Sequence, residues 1–465
     1  MRAPVIALAL CGAAGLVPLV ASAQPGAADP RIDRIFAAFD RADSPGCSVG
    51  VAQDGRLIYQ RGYGMANLDY DIPNDPRLVY YVGSVSKQFT AAAIGLLVLD
   101  GRIALDDDIR KYFPEMPAYT RPVTIRQMVH HTSGLRDIYG IMDLAGKRLE
   151  DVFTDAEAIA LIARQKETNF APNDDYLYSN SGYFLLGQLV KRVTGMSLRE
   201  FADERIFRPL GMTDTHFHDD PGHIMKRRAM SYEPGPGGRG YRISYVQNFD
   251  KIGAGGLYTT MADLLKWDTN YYSQQVGGAP FQQLIHTRGV LSRGDTLTYA
   301  FGNNVSTYRG LRITEHSGAL MGYKAELLRF PDQKFSVILL CNYGPIDPAS
   351  LAFSVAEVFL GDRMGPRPTP RPPAPRPARR TGTAATDAGL VGSYFGEEAN
   401  ATYTIRAAGG ALELVRPLRT DTLEALTDGT FRAGNLVLQF SGPAARRTAF
   451  TIEAGRVRNV RFTRR

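Results

Sequence analysis

A stretch rich in proline and arginine divides this chain of 465 residues and constrains its fold more than any other feature. It contains the run "PRPTPRPPAPRPARR", in which seven of fifteen residues are proline. Proline offers no backbone N–H to a sheet and favours an extended polyproline conformation. The sequence therefore predicts a linker at residues 363–386, between a large domain at residues 24–362 and a smaller one at residues 387–465.

The first 23 residues are typical of a secretory signal peptide. The segment "MRAPVIALALCGAAGLVPLVASAQ" has an early arginine, an apolar run, and small residues at Ala21 and Ala23. A membrane anchor is the alternative, but Pro18 and the small residues disfavour a spanning helix. We therefore expect a signal peptide at residues 1–23, a secreted or periplasmic mature chain, and no stable membrane insertion after cleavage.

The net charge of +7 does not indicate a nucleic-acid partner. Six arginines and no acidic residue lie within residues 363–380, and the segment that follows is also basic. The large domain is left slightly acidic, so the basic charge belongs to the linker and the tail. We expect no nucleic-acid binding, and at most a loose contact between the linker and acidic polymers of the cell envelope.

Two cysteines remain after the signal peptide, Cys47 and Cys341, and both lie in strand-like runs. They could pair in an oxidising compartment, but two small buried side chains are the interpretation that the pattern favours. Their spacing matches no zinc site, and no other ligand cluster appears. We expect neither a metal nor an organic cofactor.

Periodic patterns in the large domain predict an α/β (α+β) fold. Strand-like runs flank Asp54-Gly55, a strong hairpin signal, and strand-like runs return in "LRITEHSG", "KAELLRFP" and "FSVILLCNY". Helical patterns dominate between them, and a helix-like "PASLAFSVAEVFLG" follows. We expect one antiparallel sheet built from both ends of the domain, with a helical region inserted between them.

The C-terminal segment has a different pattern. Runs such as "TYTIRAAGGALELV" alternate with period two and break at glycine pairs. This is typical of an antiparallel meander or a small barrel. The segment contains no histidine and no cysteine, so nothing in it indicates chemistry.

Three short motifs in the large domain could form a catalytic site. Ser84 and Lys87 are one helical turn apart, so their side chains can point the same way. Tyr178-Ser179-Asn180 precedes a helical pattern, and His316-Ser317-Gly318 lies on a predicted strand. A serine nucleophile needs a base, an oxyanion hole and a proton donor for the leaving group. Lysine can be that base only where desolvation or another cation lowers its pKa.

In this order and spacing the three motifs resemble the penicillin-binding-protein and serine β-lactamase superfamily, of the class C β-lactamase-like kind. The segments "MVHHTSGL", "PLGMTDT", "GAGGLYTTMADLLKW" and the hairpin "VGVAQDGRLIYQRGYGMAN" are similar to that family as well. The resemblance covers about residues 32–360. It implies a β-lactamase/transpeptidase-like fold. The tail resembles a lipocalin-like accessory domain, a β-barrel-like unit that some members carry.

The resemblance also implies a role for each motif residue. Ser84 would be the nucleophile at a helix N-terminus, Lys87 its base, and Tyr178 the proton relay to the leaving group. Substrate would be bound by Asn180, by His316 and along the strand at Gly318. The backbone N–H groups of Ser84 and Ala319 would form the oxyanion hole. Structural interpretations stay open. Ser84 and Lys87 could be surface residues, Tyr178 a packed aromatic with its hydroxyl tied down, Asn180 a helix cap, and His316 a buried structural histidine. Ser86 would only pack, and His130 and His131 would support a loop.

His316 departs from the pattern of β-lactamases, which usually carry a lysine there as a fixed cation for the substrate carboxylate. Histidine is largely neutral near pH 7, so that recognition should weaken. The His-x-Gly form is similar to that of certain D,D-carboxypeptidases, D-aminopeptidases and esterases of the superfamily.

The resemblance predicts a serine hydrolase that forms an acyl-enzyme on Ser84, and the leader predicts that it is secreted. Its substrate would be a small molecule or a peptide with an ester or amide bond, such as a D-amino-acid peptide. A true β-lactamase is one alternative. A non-catalytic module that binds peptidoglycan or a partner is the other.

Overall fold

The computed structural model describes residues 28–244, 251–367, 377–380 and 388–465. The predicted signal peptide lies outside these residues, as does much of the predicted linker, so both boundaries stay predictions. Within the described ranges, no helix combines the length and the apolar character needed to cross a membrane.

The large domain combines helices with short and long strands. Its helices are α1 (Pro30–Phe36), α2 (Ser86–Leu99), α3 (Ile125–Val129), α4 (Ile138–Leu144), α5 (Asp155–Ala163), α6 (Asn180–Thr194), α7 (Leu198–Ala202), α8 (Arg208–Leu210), α9 (Met261–Ser273), α10 (Gly278–Ile285) and α11 (Pro348–Leu360). Its strands are β1 (Cys47–Gln53), β2 (Arg56–Tyr63), β3 (Met65–Asn67), β4 (Ile72–Pro73), β5 (Tyr80–Tyr81), β6 (His216–Phe217), β7 (Tyr232–Pro234), β8 (Tyr241–Ile243), β9 (Leu257–Thr259), β10 (Asn304–Tyr308), β11 (Leu311–Leu320), β12 (Tyr323–Phe330) and β13 (Phe335–Cys341).

The main sheet has six strands in the order β10-β11-β12-β13-β1-β2, and each neighbouring pair is antiparallel. Its strands come from the two ends of the domain, with the helical region between them in sequence. The predicted fold class is therefore confirmed. The hairpin between β1 and β2 turns at Asp54 and Gly55, and both have positive φ, as a tight hairpin turn requires.

The sheet separates two apolar cores. One core lies under α1 and α11 and includes Phe36, Val337 and Val355. The other lies on the opposite side, among the inserted helices. Because both faces are covered, nearly every residue of β1 and β13 is buried, and these strands read as continuous apolar runs.

Cys47 and Cys341 form a disulfide between directly paired residues of β1 and β13. The interpretation favoured by the sequence, two unpaired buried side chains, was therefore wrong. The residues are 294 positions apart in sequence, and only the strand pairing brings them together. The disulfide joins the first strand of the domain to its last.

The helix α2 runs through the centre of the helical core. Its residues from Ser86 to Leu97 are all buried, and three consecutive alanines at 91–93 let neighbouring elements approach closely. An amphipathic surface helix would expose one face; α2 does not. Its N-terminal turn is therefore held firmly, and that turn carries Ser84.

The C-terminal segment forms a closed antiparallel barrel, as the alternating pattern predicted. Buried and exposed residues alternate along its strands, and the buried aromatic rings of Phe450 and Phe462 stack with centroids 5.2 Å apart. The barrel interior is filled by side chains. Its strands are β14 (Gly392–Gly396), β15 (Ala401–Ala408), β16 (Ala411–Arg416), β17 (Arg419–Ala425), β18 (Phe431–Ala433), β19 (Leu436–Ser441), β20 (Ala449–Ala454) and β21 (Val457–Arg464).

One acidic side chain in β12 is buried at a cost to stability. Glu326 is 2 % exposed, and neither of its carboxyl oxygens has a hydrogen-bond partner within the described part of the chain. Burial raises the pKa of Glu326 well above its ordinary value, and the nearby carboxyl of Glu315 adds to the rise. The side chain is therefore held as the neutral acid.

We expect Glu326→Gln to raise the melting temperature at about pH 8 and to change it much less at about pH 5. The pKa of Glu326 is higher in the folded state than in the unfolded chain, so the wild type loses stability as pH rises through these values. Glutamine carries no charge and avoids that loss. Calorimetry at both pH values checks this, with the exposed Glu453→Gln as control. An equal shift at both pH values would contradict the assignment.

Candidate active site

A cavity of about 500 Å³ lies where the turn before α2, the edge of β11 and the N-terminus of α6 meet. The three sequence motifs converge there: Ser84, Tyr178, Asn180, His316 and Gly318 all line it. Lys87 lies beneath the cavity, within hydrogen-bond distance of Ser84. The structure thus brings together every residue that the motifs singled out.

Ser84 lies in a single 3₁₀ turn, Gly83–Val85, that leads directly into α2. The Ser86 hydroxyl donates to the Gly83 carbonyl at 2.6 Å and accepts from the Leu257 N–H at 3.1 Å. Ser86 was predicted only to pack, and it is fully buried. Its two hydrogen bonds also fix the turn that carries Ser84.

Lys87 is fully buried and makes three hydrogen bonds. Its Nζ donates to Asn180 Oδ1 at 2.9 Å and to the carbonyl of Ala254 at 2.5 Å, and it lies 3.1 Å from Ser84 Oγ. Burial lowers the pKa of Lys87 well below its ordinary value; the carboxylate of Asp137 opposes this shift and Arg456 adds to it. A neutral amine beside a serine hydroxyl can accept that hydroxyl's proton.

Tyr178 covers the lysine. Its ring centroid lies 4.7 Å from Lys87 Nζ. Burial raises the pKa of Tyr178 far above its ordinary value, while a contact with the Ser84 side chain opposes the rise. Within the described residues its hydroxyl makes no hydrogen bond of regular geometry. Tyr178 is therefore protonated, beside the serine, and has a proton that it can donate.

Asn180 is the first residue of α6, and Ser179 caps that helix through its side chain. The resemblance implied that Asn180 binds substrate, yet most of its amide is already used within the protein. Its Oδ1 accepts from Lys87, and its Nδ2 donates to Asp137 Oδ2 at 2.7 Å. Asn180 therefore positions Lys87, and one amide hydrogen is left for a substrate.

Two glycines allow β11 to approach the serine turn. A Cβ on Gly318 would lie 2.0 Å from the Val82 carbonyl oxygen and 2.8 Å from the Ser84 nitrogen. A Cβ on Gly83 would lie 2.4 Å from the Ala319 nitrogen, and Gly83 has φ of 52°. Only glycine fits at both positions. The N–H groups of Ser84 and Ala319 thus lie close together at the cavity, as an oxyanion hole requires.

His316 is buried and neutral. Its Nδ1 lies 2.6 Å from the Ser317 carbonyl oxygen, which can only accept, so Nδ1 carries the hydrogen. Its Nε2 then accepts from the Tyr299 hydroxyl at 2.9 Å. Burial lowers the pKa of His316 to about 3, and the charge of Lys87 adds to this effect. His316 therefore supplies no fixed positive charge to the cavity.

His130 and His131 support the loop beside the site. The His131 ring lies 4.2 Å from the Tyr178 ring, and its Nδ1 accepts from the Ser179 N–H at 3.1 Å. His130 Nε2 lies 3.0 Å from the Thr287 carbonyl oxygen and anchors the other side of the loop. Neither histidine lines the cavity. Both contacts agree with the loop-supporting interpretation.

Sequence reasoning missed Asp137, Tyr299 and Arg456. Asp137 caps α4 and holds Asn180, and an aspartate before a helical pattern was the available signal. Tyr299 holds His316, and Arg456 reaches the cavity from the barrel. No local pattern marks either of these two, because each acts across a long sequence separation.

Within the described residues, no group of three or more His, Cys, Asp or Glu side chains is arranged to hold a metal ion. The chemistry available from the groups described here is nucleophilic and acid–base. It consists of a hydroxyl on a neutral amine, a protonated tyrosine, and two backbone N–H groups.

Comparisons with known proteins agree with this geometry. The Beta-lactamase family model matches residues 32–358. The D-aminopeptidase of Brucella anthropi is 29% identical over 317 residues, 68% of this chain and 59% of the relative. That of Cereibacter sphaeroides is 29% identical over 300 residues, 64% of this chain and 57% of the relative. The chain thus spans less than two thirds of the length of these two curated relatives.

Solved structures share the fold. The octameric penicillin-binding protein homologue from Pyrococcus abyssi has a TM-score of 0.63 at 22% identity, covering 93% of this chain and 98% of that one. SurE has a TM-score of 0.59 at 23% identity, covering 94% and 99%. The D-amino acid amidase from Ochrobactrum anthropi SV3 has a TM-score of 0.59 at 20% identity, covering 72% and 99%. At these identities the likeness concerns the fold.

We expect Ser84 to react with a fluorophosphonate probe at a rate that rises with pH through one ionisation well below the ordinary lysine value. The cause is the lowered pKa of Lys87, whose neutral form accepts the serine proton. Lys87→Met should reduce the rate about 100-fold or more. Labelling of the intact protein followed by mass spectrometry checks this, with the exposed Lys191→Met as control. A rate that rises only near the ordinary lysine pKa would contradict it.

Gly318→Ala should leave the protein folded and lower the same labelling rate about 100-fold or more. The new Cβ would push β11 away from Val82 and Ser84, and so separate the two N–H groups of the oxyanion hole. Gly361→Ala is the matched control, because a Cβ there meets nothing within 4 Å. Circular dichroism checks the fold. Unchanged labelling in the folded Gly318→Ala variant would show that this close approach is not needed.

Proposed function

The chain belongs to the Beta-lactamase family, and we propose that it is a serine hydrolase that cleaves an amide or ester through an acyl-enzyme on Ser84. The observation that carries this proposal is the hydrogen bond of 3.1 Å between Ser84 Oγ and the buried amine of Lys87. A surface Ser–Lys pair would be solvated, and its lysine would stay protonated. Here burial lowers the pKa of the amine, which makes it a base.

In the proposed acylation, neutral Lys87 accepts the proton of the Ser84 hydroxyl while Oγ attacks the substrate carbonyl carbon. The carbonyl π electrons move to the oxygen, which the N–H groups of Ser84 and Ala319 stabilise. Their preorganisation follows from the close approach of β11 at Gly83 and Gly318. A serine hydroxyl without two such N–H groups beside it would form an oxyanion that is not stabilised.

The tetrahedral intermediate then collapses, and the bond to the leaving group breaks. Tyr178 donates its proton to the leaving nitrogen or oxygen and recovers one from the Lys87 ammonium. In deacylation a water loses a proton to the same Tyr178–Lys87 pair and attacks the acyl carbon. The bond from that carbon to Ser84 Oγ then breaks, and the pair returns the proton to Oγ. Both groups contact Ser84, Lys87 through its Nζ at 3.1 Å and Tyr178 through its side chain, which supports their action as a pair.

The substrate that we propose is an amide with a D-amino-acid residue, or a small ester. The D-aminopeptidase relatives and the D-amino acid amidase support the amide class. Strong β-lactam hydrolysis is not part of this proposal, because His316 offers no fixed cation at the strand position where β-lactamases usually carry a lysine. Neither a metal nor an organic cofactor enters any of these steps.

We also propose that the protein works outside the cytoplasm. The Cys47–Cys341 disulfide supports this, because disulfides persist in oxidising compartments. The apolar leader of the sequence is the second support. A loose contact of the arginine-rich linker with the cell envelope stays a prediction.

Turnover on three substrates tests the function: a short-chain nitrophenyl ester, a D-alanyl anilide and a chromogenic cephalosporin. We expect Ser84→Ala to lower turnover of the preferred substrate by at least about 1000-fold, because it removes the nucleophile. The exposed Ser354→Ala is the control and should match the wild type. Steady-state rates, with circular dichroism for the fold, give the result.

Other outcomes of this experiment would contradict the proposal or favour one of the alternative functions. If the folded Ser84→Ala variant turned over substrate near the wild-type rate, the acyl-enzyme proposal would be contradicted. Cephalosporin hydrolysis far faster than the other two reactions would make the protein a true β-lactamase. A stoichiometric adduct on Ser84 without turnover would favour a binding module.

A further inference from the structure

The barrel contributes one side chain to the cavity of the large domain. The turn between β20 and β21 consists of Gly455 and Arg456, and Gly455 has φ of 59°. Arg456 lines the cavity together with Ser84, and its guanidinium carbon lies 4.5 Å from the centroid of the Tyr178 ring. The substrate site is therefore built by both domains.

The turn itself is held by the large domain. The Asn169 side chain donates to the Arg456 carbonyl at 3.0 Å and accepts from the Arg458 N–H at 2.7 Å. Val457 packs against Gly140, where an added Cβ would lie 2.5 Å from the valine Cγ2. These contacts fix the backbone on both sides of Arg456.

A buried ion pair strengthens the same interface. The Arg136 side chain is fully buried, and its Nη1 donates to Glu398 Oε1 at 2.7 Å. Its Nε donates to the Arg458 carbonyl at 2.9 Å and its Nη2 to the Asn459 carbonyl at 3.2 Å. A charge-assisted network of this kind allows little relative motion.

A second group of contacts lies farther along the interface. Arg416 Nη1 pairs with Asp143 Oδ2 at 2.9 Å, and the buried Tyr403 hydroxyl donates to the Leu144 carbonyl at 3.0 Å. The barrel is thus anchored at two places on the helical region. Arg456 is held at the cavity by the docked barrel and does not depend on a flexible loop.

Arg456 supplies the fixed positive charge of the cavity. Burial lowers the pKa of Lys87 and that of His316, so neither carries a fixed charge. Among the described residues that line the cavity there is no other lysine or arginine and no aspartate or glutamate. The Arg456 guanidinium makes no ion pair with any described residue; its contact is the face of the Tyr178 ring. A guanidinium without an ion-pair partner can bind a carboxylate through two parallel N–H groups.

We propose that Arg456 binds a carboxylate on the leaving-group side of the substrate. The assignment rests on the proposed function, in which Tyr178 protonates the leaving group, because Arg456 lies over that tyrosine. The substrate is then an acylated peptide whose free C-terminus follows the scissile bond. A substrate with a free ammonium group close to the bond is disfavoured by the same charge.

The test compares N-acetyl-D-alanyl-D-alanine with its C-terminal amide, which has the same scissile bond and a neutral end. We expect the wild type to cleave the acid with kcat/KM about tenfold or more above that of the amide. Arg456→Gln should remove this preference, and Arg456→Lys should restore part of it. Arg458→Gln is the matched control: Arg458 lies two residues farther on, in β21, pairs with Asp175 at 3.6 Å, and does not line the cavity.

The ratio of the two substrates isolates recognition from the acid–base chemistry. Arg456 also lowers the pKa of Lys87, so its removal alters the rate on both substrates, but equally. The acid/amide ratio cancels that effect. An acid/amide ratio that is unchanged in Arg456→Gln would overturn the proposal. So would a wild-type ratio that is retained at high salt, because salt screens an exposed charge.

A binding measurement keeps this inference separate from the proposed function. Calorimetry with the Ser84→Ala variant measures the affinity for acid and amide without any turnover. Tighter binding of the acid that is lost on adding Arg456→Gln supports the assignment even where no hydrolysis is found. Equal affinity for both ligands overturns it even where Ser84-dependent hydrolysis is found.

Discussion

The burial of a single amine organises the site and the helices around it. Lys87 lies in the fully buried part of α2, where a protonated amine would lose its hydration without a bonded carboxylate to replace it. Its three hydrogen-bond partners come from the serine turn, from α6 and from the segment at Ala254. These elements must therefore pack around the lysine before Ser84 has a base. The same packing that stabilises the domain lowers the pKa of Lys87 and so makes the hydroxyl reactive.

Two adjacent residues connect this amine to the barrel. Asp137 holds both the backbone and the side chain of Asn180, which in turn accepts from Lys87. Arg136, its neighbour in sequence, donates to Glu398 of the barrel. A displacement of the barrel would pull on the segment that positions the base. Docking and catalysis are therefore coupled through one short stretch of backbone, although no side chain of the barrel takes part in the acid–base steps.

Local patterns predicted the elements and the motif residues, since hydrophobic period, turn residues and motif order are all properties of neighbours in sequence. They identified β1, β13 and the alternation of the barrel strands, and the fold class is confirmed.

Local patterns could not predict which residues pair when they lie far apart in sequence. Cys47 and Cys341 were recognised as strand residues, but their disulfide depends on the register of β1 and β13. The role of Asn180 was assigned without Asp137, whose carboxylate takes one amide hydrogen. Nothing in the barrel sequence indicated chemistry, because it contains no histidine or cysteine. The docking that brings Arg456 to the cavity involves residues far apart in sequence, so no local pattern predicts it.

The position of the fixed charge decides what the cavity can recognise. On β11 the candidate position is filled by His316, which Tyr299 and the Ser317 carbonyl hold in one neutral tautomer. Because His316 is neutral, it adds no fixed positive charge beside Lys87. Arg456 supplies the positive charge from the barrel: its guanidinium lies over the Tyr178 ring, and the residue is exposed to solvent. The same charge also lowers the pKa of Lys87, so substrate recognition and the base are coupled. Recognition then depends on the barrel being docked, and variation of one hairpin turn can change the substrate while the residues around Ser84 stay the same.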